Sequence, residues 1–138
     1  MNDEQPGMNK QAQYININKV GDKFYHSDRK MNILHREDGP AVKWAGGYKA
    51  WYINGKRHRE DGPAVEWANG DTEWWINGER HREDGPAVEW TGGYKAWHIN
   101  GKKLSEREFN ARMNPIELTL DEIAEKFGVS VASLKIKK

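Results

Sequence analysis

HREDGPAVKWAGGYKAWYINGKR, residues 35–57, is followed by two near copies of itself. Residues 58–80 read HREDGPAVEWANGDTEWWINGER, and residues 81–103 read HREDGPAVEWTGGYKAWHINGKK. A degenerate leading copy precedes them, in which KFYHSDRK stands where KAWYINGKR would. A fixed 23-residue period indicates tandem units that bury their apolar faces against their neighbours. We therefore divide the chain into a flexible N-terminus (1–13), a β-repeat array (14–34, 35–57, 58–80 and 81–103) and a helical C-terminal cap (104–138).

Each copy carries three turn signals: Asp-Gly before the proline, Gly-Gly or Asn-Gly after the first tryptophan, and Asn-Gly after the isoleucine. Asn-Gly and Asp-Gly favour two-residue type I′ turns, because both central residues need positive φ. Strands of six, six and five residues, joined by three such turns, fill the 23-residue period. The pattern predicts a mainly β fold, in which an antiparallel meander forms a single sheet with one apolar face.

The register of this meander predicts which residues share a face. With Gly46-Gly47 as the turn, Val42 pairs with Trp51. The residues that recur between copies then form the core: Val42, Trp44, Trp51, Ile53, Val65, Trp67, Trp74, Ile76, Val88, Trp90, Trp97 and Ile99. The positions that differ between copies, with the cations opposite them, form a variable face: Lys43, Ala50, Tyr52, Arg57, Glu66, Glu73, Trp75, Arg80, Glu89, Ala96, His98 and Lys103.

On this variable face each ring lies opposite a cation: Tyr52 opposite Arg57, Trp75 opposite Arg80, and His98 opposite Lys103. Such pairs suit stacking on a nucleobase or a hot spot for a protein partner. The register also places Arg57 opposite Glu66 and Arg80 opposite Glu89, so cross-strand ion pairs explain the cations equally well.

The charge pattern favours a protein partner over a nucleic acid. The chain has 22 basic and 21 acidic residues. The first copy has five basic and two acidic residues (+3), the second two and six (−4), and the third four and three (+1). A nucleic-acid stripe should be basic throughout, because phosphates repeat evenly along a strand. Alternating charge instead suits complementary patches on a folded protein.

Composition excludes several classes of protein. The chain has 138 residues, which suits one domain or a repeat array, and it has no cysteine for disulfides or thiolate metal sites. No apolar run approaches the roughly 18 residues of a membrane span, and the start has no hydrophobic signal core, so we expect a cytoplasmic protein without membrane association.

The triplicated His-Arg-Glu-Asp could suggest metal binding or acid–base catalysis, but equivalent residues should lie three strands, about 14 Å, apart. One copy alone offers no closed set of ligands, so we expect hydrogen-bonded histidines beside turns. Nothing resembles a nucleophile–base pair, a phosphate loop or a dinucleotide motif. We therefore expect no catalytic residues, no metal and no cofactor.

The C-terminal segment predicts helices. Ser105 to Glu108 form a capping box for a helix that should stop before Pro115, and Thr119 to Glu122 open a second, with Gly128 as its stop. Ser130 could cap a third turn before Leu134. We expect six apolar residues to cover part of the sheet: Phe109, Met113, Ile116, Leu118, Ile123 and Phe127.

Residues 119–134 also resemble a DNA-reading helix-turn-helix, with Ala124, Gly128 and Leu134 at the expected positions, and equally resemble part of a LysM module. Its recognition helix would run into the chain end, with only Lys135, Lys137 and Lys138 as cations. Because the resemblance is to a DNA-reading motif but few cations accompany it, we keep DNA binding by this segment as a second alternative function.

The segments WYINGKRH (51–58), WWINGERH (74–81) and WHINGKKL (97–104) resemble the MORN-type β-hairpin repeat. The HREDGPA element departs from the H-G-x-G of that family and looks like tandem repeats in uncharacterised proteins of large bacteriophages and giant viruses. From the residues we expect a non-catalytic protein-binding module. The resemblance to phage proteins implies a viral accessory protein that modulates a host protein in the host cytoplasm. The first alternative is a nucleotide or single-strand binder. Association of copies through unpaired sheet edges is also open.

Overall fold

The computed structural model describes residues 13–133, so most of the expected flexible N-terminus lies outside the described residues. Thirteen short β-strands precede two α-helices and a 3-10 turn. The strands are β1 (Tyr14–Ile17), β2 (Lys23–His26), β3 (Val42–Lys43), β4 (Lys49–Ala50), β5 (Tyr52–Ile53), β6 (Lys56–Arg57), β7 (Val65–Glu66), β8 (Thr72–Glu73), β9 (Trp75–Ile76), β10 (Glu79–Arg80), β11 (Val88–Glu89), β12 (Lys95–Ile99) and β13 (Lys102–Leu104). The helices are α1 (Glu106–Met113) and α2 (Leu120–Phe127), and the 3-10 turn spans Val131–Ser133.

The fold is mainly β with antiparallel pairing, as predicted, but the strands do not form a single sheet. Nine strands form the main sheet in the order β1-β2-β3-β4-β7-β8-β11-β12-β13. The hairpins β5–β6 and β9–β10 form separate two-stranded ladders, because the chain leaves the main sheet after Ala50 and after Glu73. In the third copy the strand is not interrupted: β12 spans the positions of both β4 and β5 of the first copy. Its first part pairs with β11 and its second part with β13.

One of the three predicted turns is confirmed. Asn54 and Gly55 both have positive φ (49° and 77°), and the equivalent pairs in the other copies behave alike, as a type I′ turn requires. The Gly-Gly pair does not form a two-residue turn. The Gly47 amide donates to the Trp44 carbonyl, and Gly47 has φ 101°, which makes a three-residue loop. The Asp-Gly pair is no hairpin turn, since Gly62 does not have positive φ.

The extra loop residue shifts the predicted register by one. Val42 pairs with Ala50 rather than with Trp51, and Ala50 pairs in turn with Val65. Because side chains alternate along a strand, this shift exchanges the sides of Trp51 and Tyr52. We call the side that bears Val42 and Ala50 the inner face, and the side that bears Lys43 and Trp51 the outer face.

The core lies on the inner face. Val42, Ala50 and Val65 are buried there, and six larger side chains pack against them: Phe24, Leu34, Tyr48, Tyr52, Trp67 and Trp75. Among the predicted core residues, four are buried: Val42, Val65, Val88 and Ile99. Most of the others are half-buried: Trp51, Ile53, Trp67, Trp74, Ile76 and Trp97. The prediction is wrong for Trp44 and Trp90, which are 48% and 47% exposed.

Both predicted helices form, and α1 packs against β12 and β13. Each begins with a capping box, and α2 ends at Gly128 in the left-handed conformation. Phe109 of α1 is buried against Ile99 and Leu104, with Trp97 and Met113 packed around them. Three of the residues predicted to cover the sheet are instead exposed: Ile116, Leu118 and Phe127.

After Gly128 the described chain has a 3-10 turn rather than a recognition helix, and Leu134 lies outside the described residues, as do Lys135, Lys137 and Lys138. Within residues 13–133, no helix has the length and apolar character needed to cross a membrane.

Candidate binding surfaces

Each HREDGP loop is organised by its arginine on the outer face. The Arg59 guanidinium lies 4.1 Å from the centroid of the Trp51 ring. Its Nε donates to Asp61 Oδ1 (2.9 Å), and its Nη1 donates to the Pro63 carbonyl (3.1 Å). Arg36 lies in the same way over Tyr25, and Arg82 over Trp74. The arginine of each copy thus joins the loop of its own copy to an aromatic ring of the preceding copy.

The glycine of this loop has a steric role. A Cβ atom at Gly62 would lie 2.7 Å from Cζ of Arg59, and one at Gly39 or Gly85 would lie 3.1 Å from Cζ of Arg36 or Arg82. Asp-Gly is therefore present because the aspartate binds the arginine and the glycine gives it room.

Two glutamates of the predicted variable face belong to this arrangement. Arg59 Nη1 donates to Glu66 (3.1 Å), and Arg82 Nη1 donates to Glu89. The predicted pairing of these glutamates with Arg57 and Arg80 is wrong, because the register shift places them on the outer face. The first copy has the exposed Lys43 at this position.

The histidines join the loops to the Asn-Gly turns, as the hydrogen-bonded interpretation predicts. Nδ1 of His35, His58 and His81 accepts from the backbone N–H of Asn54, Asn77 and Asn100, at 3.0, 3.1 and 3.1 Å. His58 Nδ1 also lies 3.0 Å from Asn77 Oδ1. Nε2 faces a glutamate of the same loop, at 3.5 Å for His58 and Glu60.

Successive loops enclose two neighbouring clefts on the outer face, which we call the loop clefts. The first, of about 690 Å³, lies between the loops at 36–40 and 58–61, with Trp51 and Ile53 among its lining residues. The second, of about 350 Å³, lies between the loops at 59–60 and 81–84 and is lined by Trp74 and Ile76. Arg59 and Glu60 line both clefts.

On the inner face, a polar cluster surrounds Glu73, which is buried where the other copies have Ala50 and Ala96. Glu73 Oε2 accepts from the Trp75 indole N–H (2.8 Å), and Oε1 accepts from Arg80 Nη2 (3.1 Å). The buried carboxylate is thus paired with a cation and a neutral donor.

The three predicted ring–cation pairs are confirmed as strand pairs: Tyr52 with Arg57, Trp75 with Arg80, and His98 with Lys103. They lie on the inner face, however, where Tyr52 and Trp75 pack against the core. The guanidinium groups of Arg57 and Arg80 lie 5.1 and 5.0 Å from the centroid of the Trp75 ring. The rings expected to stack on a ligand are therefore occupied by neighbours within the chain.

His98 is buried, and burial lowers the pKa of its imidazole below the usual value. Within the described part of the chain, His98 Nδ1 and Arg80 Nε have no hydrogen-bond partner. Arg80 and Lys103 also disfavour a charge on His98, whereas Glu73 favours it. His98 is therefore neutral at pH 7.

The hairpin tips carry an aromatic surface on the inner side, which we call the aromatic face: Trp44, Tyr48, Trp67, Trp90 and Tyr94. The ring centroids of Trp44 and Tyr48 are 4.4 Å apart, and those of Trp90 and Tyr94 are 4.6 Å apart. Tyr94 is 43% exposed, close to the values for the two tryptophans. Burial raises the pKa of the Tyr48 hydroxyl, which therefore stays neutral at pH 7. Lys103 Nζ donates to the Tyr94 hydroxyl at 3.3 Å.

Sequence reasoning missed two features, the loop arginines and the tyrosines at the hairpin tips. It placed Glu73 on the variable face with Ala50 and Ala96, whereas all three residues are buried on the inner face. The Ala-to-Glu difference at position 73 could have indicated the polar cluster. Glu73 pairs with Val65 and Val88 on the neighbouring strands, and a carboxylate between apolar side chains needs hydrogen-bond donors. The loop clefts had no such signal, because their lining residues are brought together by the kink after Ala50.

No protein-family model matches the chain, and comparisons with curated proteins and with solved structures also return no match.

Proposed function

We propose that this protein is a non-catalytic binding module of tandem β-hairpin repeats, and that its aromatic face contacts a partner protein. The observation that carries the proposal is the exposure of Trp44, Trp90 and Tyr94 on one side of the sheet. Tryptophan and tyrosine dominate the residues that contribute most to protein–protein affinity. Large rings left nearly half exposed are typical of such an interaction site.

The composition and arrangement of this surface support a protein partner. Trp44 stacks with Tyr48, and Tyr48 meets the Trp67 ring edge-on with centroids 5.9 Å apart. The rings are thus held in place before binding, which reduces the entropy lost when a partner docks. By the resemblance to phage and giant-virus repeats, the partner is a host protein and the module is a viral accessory protein.

Stacking on a nucleobase is the weaker candidate. The rings predicted to stack are Tyr52, Trp75 and His98, and they pack in the core or are buried. The indole of Trp75 is already covered by two guanidinium groups. A nucleobase would have to displace those groups before it could stack.

The test is capture of proteins on the immobilised chain, followed by binding measurements with each captured protein. A Trp44→Ser/Trp90→Ser variant should lose at least tenfold in affinity, because hot-spot tryptophans each contribute about 2 kcal/mol or more. The control is Phe127→Ser, which removes a ring of α2 that is 70% exposed and is not part of the aromatic face.

A partner that binds both variants equally would refute the role of the aromatic face. If no protein partner is captured and added nucleotides or single-stranded oligonucleotides quench the tryptophan fluorescence, the result would favour a nucleotide or single-strand binder instead.

A further inference from the structure

We propose that the loop clefts on the outer face form a second binding site, whose ligand is a basic segment in the polyproline II conformation. The aromatic face lies on the other side of the sheet, so this site does not depend on the function proposed above. Three properties of the clefts support the inference: their charge, their apolar lining and their spacing.

The charge of the first cleft is negative. Its lining includes two arginines and four carboxylates, Glu37, Asp38, Glu60 and Asp61, which leaves two negative charges. Arg36 pairs with Asp38 (2.8 Å) and Arg59 with Asp61 (2.9 Å), so the excess lies with the two glutamates.

These glutamates are available to a ligand. Glu60 has an 84% exposed side chain, and its one ion-pair contact in the described residues is with His58 Nε2 at 3.5 Å. Glu37 stands in the same relation to His35, at 3.7 Å. The histidine Nε2 can donate only one hydrogen and a carboxylate has two oxygens, so each carboxylate retains acceptor capacity for a lysine or arginine.

The lining beside the carboxylates is apolar. Trp51 and Ile53 lie in the first cleft, and Trp74 and Ile76 lie in the second. Arg59 and Arg82 already lie over the Trp51 and Trp74 rings, so Ile53 and Ile76 supply the apolar contact for the aliphatic stem of a lysine or for a proline ring.

The spacing of the clefts selects the conformation of the ligand. Successive copies contribute two adjacent strands each to the main sheet rather than the predicted three, which places equivalent loops about 9.6 Å apart at about 4.8 Å per strand. A polyproline II helix rises about 3.1 Å per residue with three residues per turn, so every third side chain recurs on one side after about 9.3 Å. Side chains three apart on a β-strand would point to opposite sides.

The probe is a fluorescently labelled peptide of four Lys-Pro-Pro units, with anisotropy as the readout. Glu37→Gln/Glu60→Gln/Glu83→Gln should weaken its binding by roughly tenfold, because each exposed ion pair contributes modestly. Glu79→Gln/Glu106→Gln/Glu117→Gln changes the net charge equally at glutamates outside the cleft lining, and it should bind like the parent protein.

A second peptide has the same composition with its four lysines in one block. It should bind at least threefold more weakly, since only one or two lysines could reach the clefts. Equal binding of both peptides, equal loss in both triple variants, or no binding of the Lys-Pro-Pro peptide would each overturn the proposal. Trp44→Ser/Trp90→Ser should retain peptide binding, which separates this site from the aromatic face.

Discussion

The loop arginines on the outer face and the Glu73 cluster on the inner face are both half-buried polar networks, yet they recur differently. The arginine network occurs in three loops of identical sequence, centred on Arg36, Arg59 and Arg82. The glutamate cluster occurs once, and the other copies have alanine at its centre. A network that joins one copy to the next constrains every copy, whereas a cluster within one hairpin can change if its members change together.

The largest effect is expected from breaking the recurring network. Arg59→Ala removes the cation over Trp51, two hydrogen bonds to the loop and the pair with Glu66. We expect the free energy of unfolding to fall by about 2–4 kcal/mol, measured by urea denaturation.

The first loop provides the matched comparison. Arg36 makes the same contacts with its loop and with Tyr25, but its copy has Lys43 where a glutamate would be. Arg36→Ala should therefore cost about 1 kcal/mol less than Arg59→Ala. Equal losses would show that the glutamate contributes nothing to the network.

A smaller effect is expected from breaking the cluster that occurs once. Glu73→Ala gives the second copy the alanine of its neighbours but leaves Arg80 and the Trp75 indole N–H without their acceptor. We expect a loss of about 1–3 kcal/mol in unfolding free energy.

Adding Trp75→Tyr should compensate, because it reproduces the pattern of Ala50, Tyr52 and Arg57 in the first copy. The double variant should be at least about 0.5 kcal/mol more stable than the sum of the two single losses predicts. Additive losses would mean that the residues of this cluster do not act together.

The smallest effect concerns the third copy and pH. Burial lowers the pKa of His98, so the unfolded chain binds a proton near pH 6.5 and the folded chain does so only at lower pH. Stability is then retained above pH 6.5 and falls as pH drops below it. His98→Gln should remove this part of the pH dependence, measured as the difference between the unfolding curves of the two proteins from pH 7.5 to 5. Parallel curves would contradict it.

The strand content, the antiparallel pairing, the Asn-Gly turns and both helix caps could be predicted, because each depends on local backbone preferences. The three ring–cation pairs were also predictable, since each lies across an Asn-Gly turn of known geometry. Local signals therefore sufficed at the Asn-Gly turns, where the type I′ geometry determines the pairing.

The faces could not be predicted, because they depend on one loop residue. A three-residue loop that ends at Gly47 and a two-residue Gly-Gly turn are both compatible with the sequence, and they place Trp51 on opposite sides. The kink after Ala50 depends on packing between copies, which no local pattern records. The aromatic face and the loop clefts both depend on the three-residue loop and on the kink. The sequence therefore predicted only some of the residues of these surfaces.

The packing of α1 sets the end of the array. Trp97 occupies the position that Trp51 and Trp74 hold in their copies, yet Phe109 and Met113 pack beside it where another loop arginine would stack. Because α1 packs on β12 and β13, we expect its contacts to be the same whatever number of copies precedes these two strands. Insertion of a further 23-residue copy between residues 80 and 81 should therefore add one more cleft, while the packing of Phe109 and Met113 beside Trp97 stays unchanged.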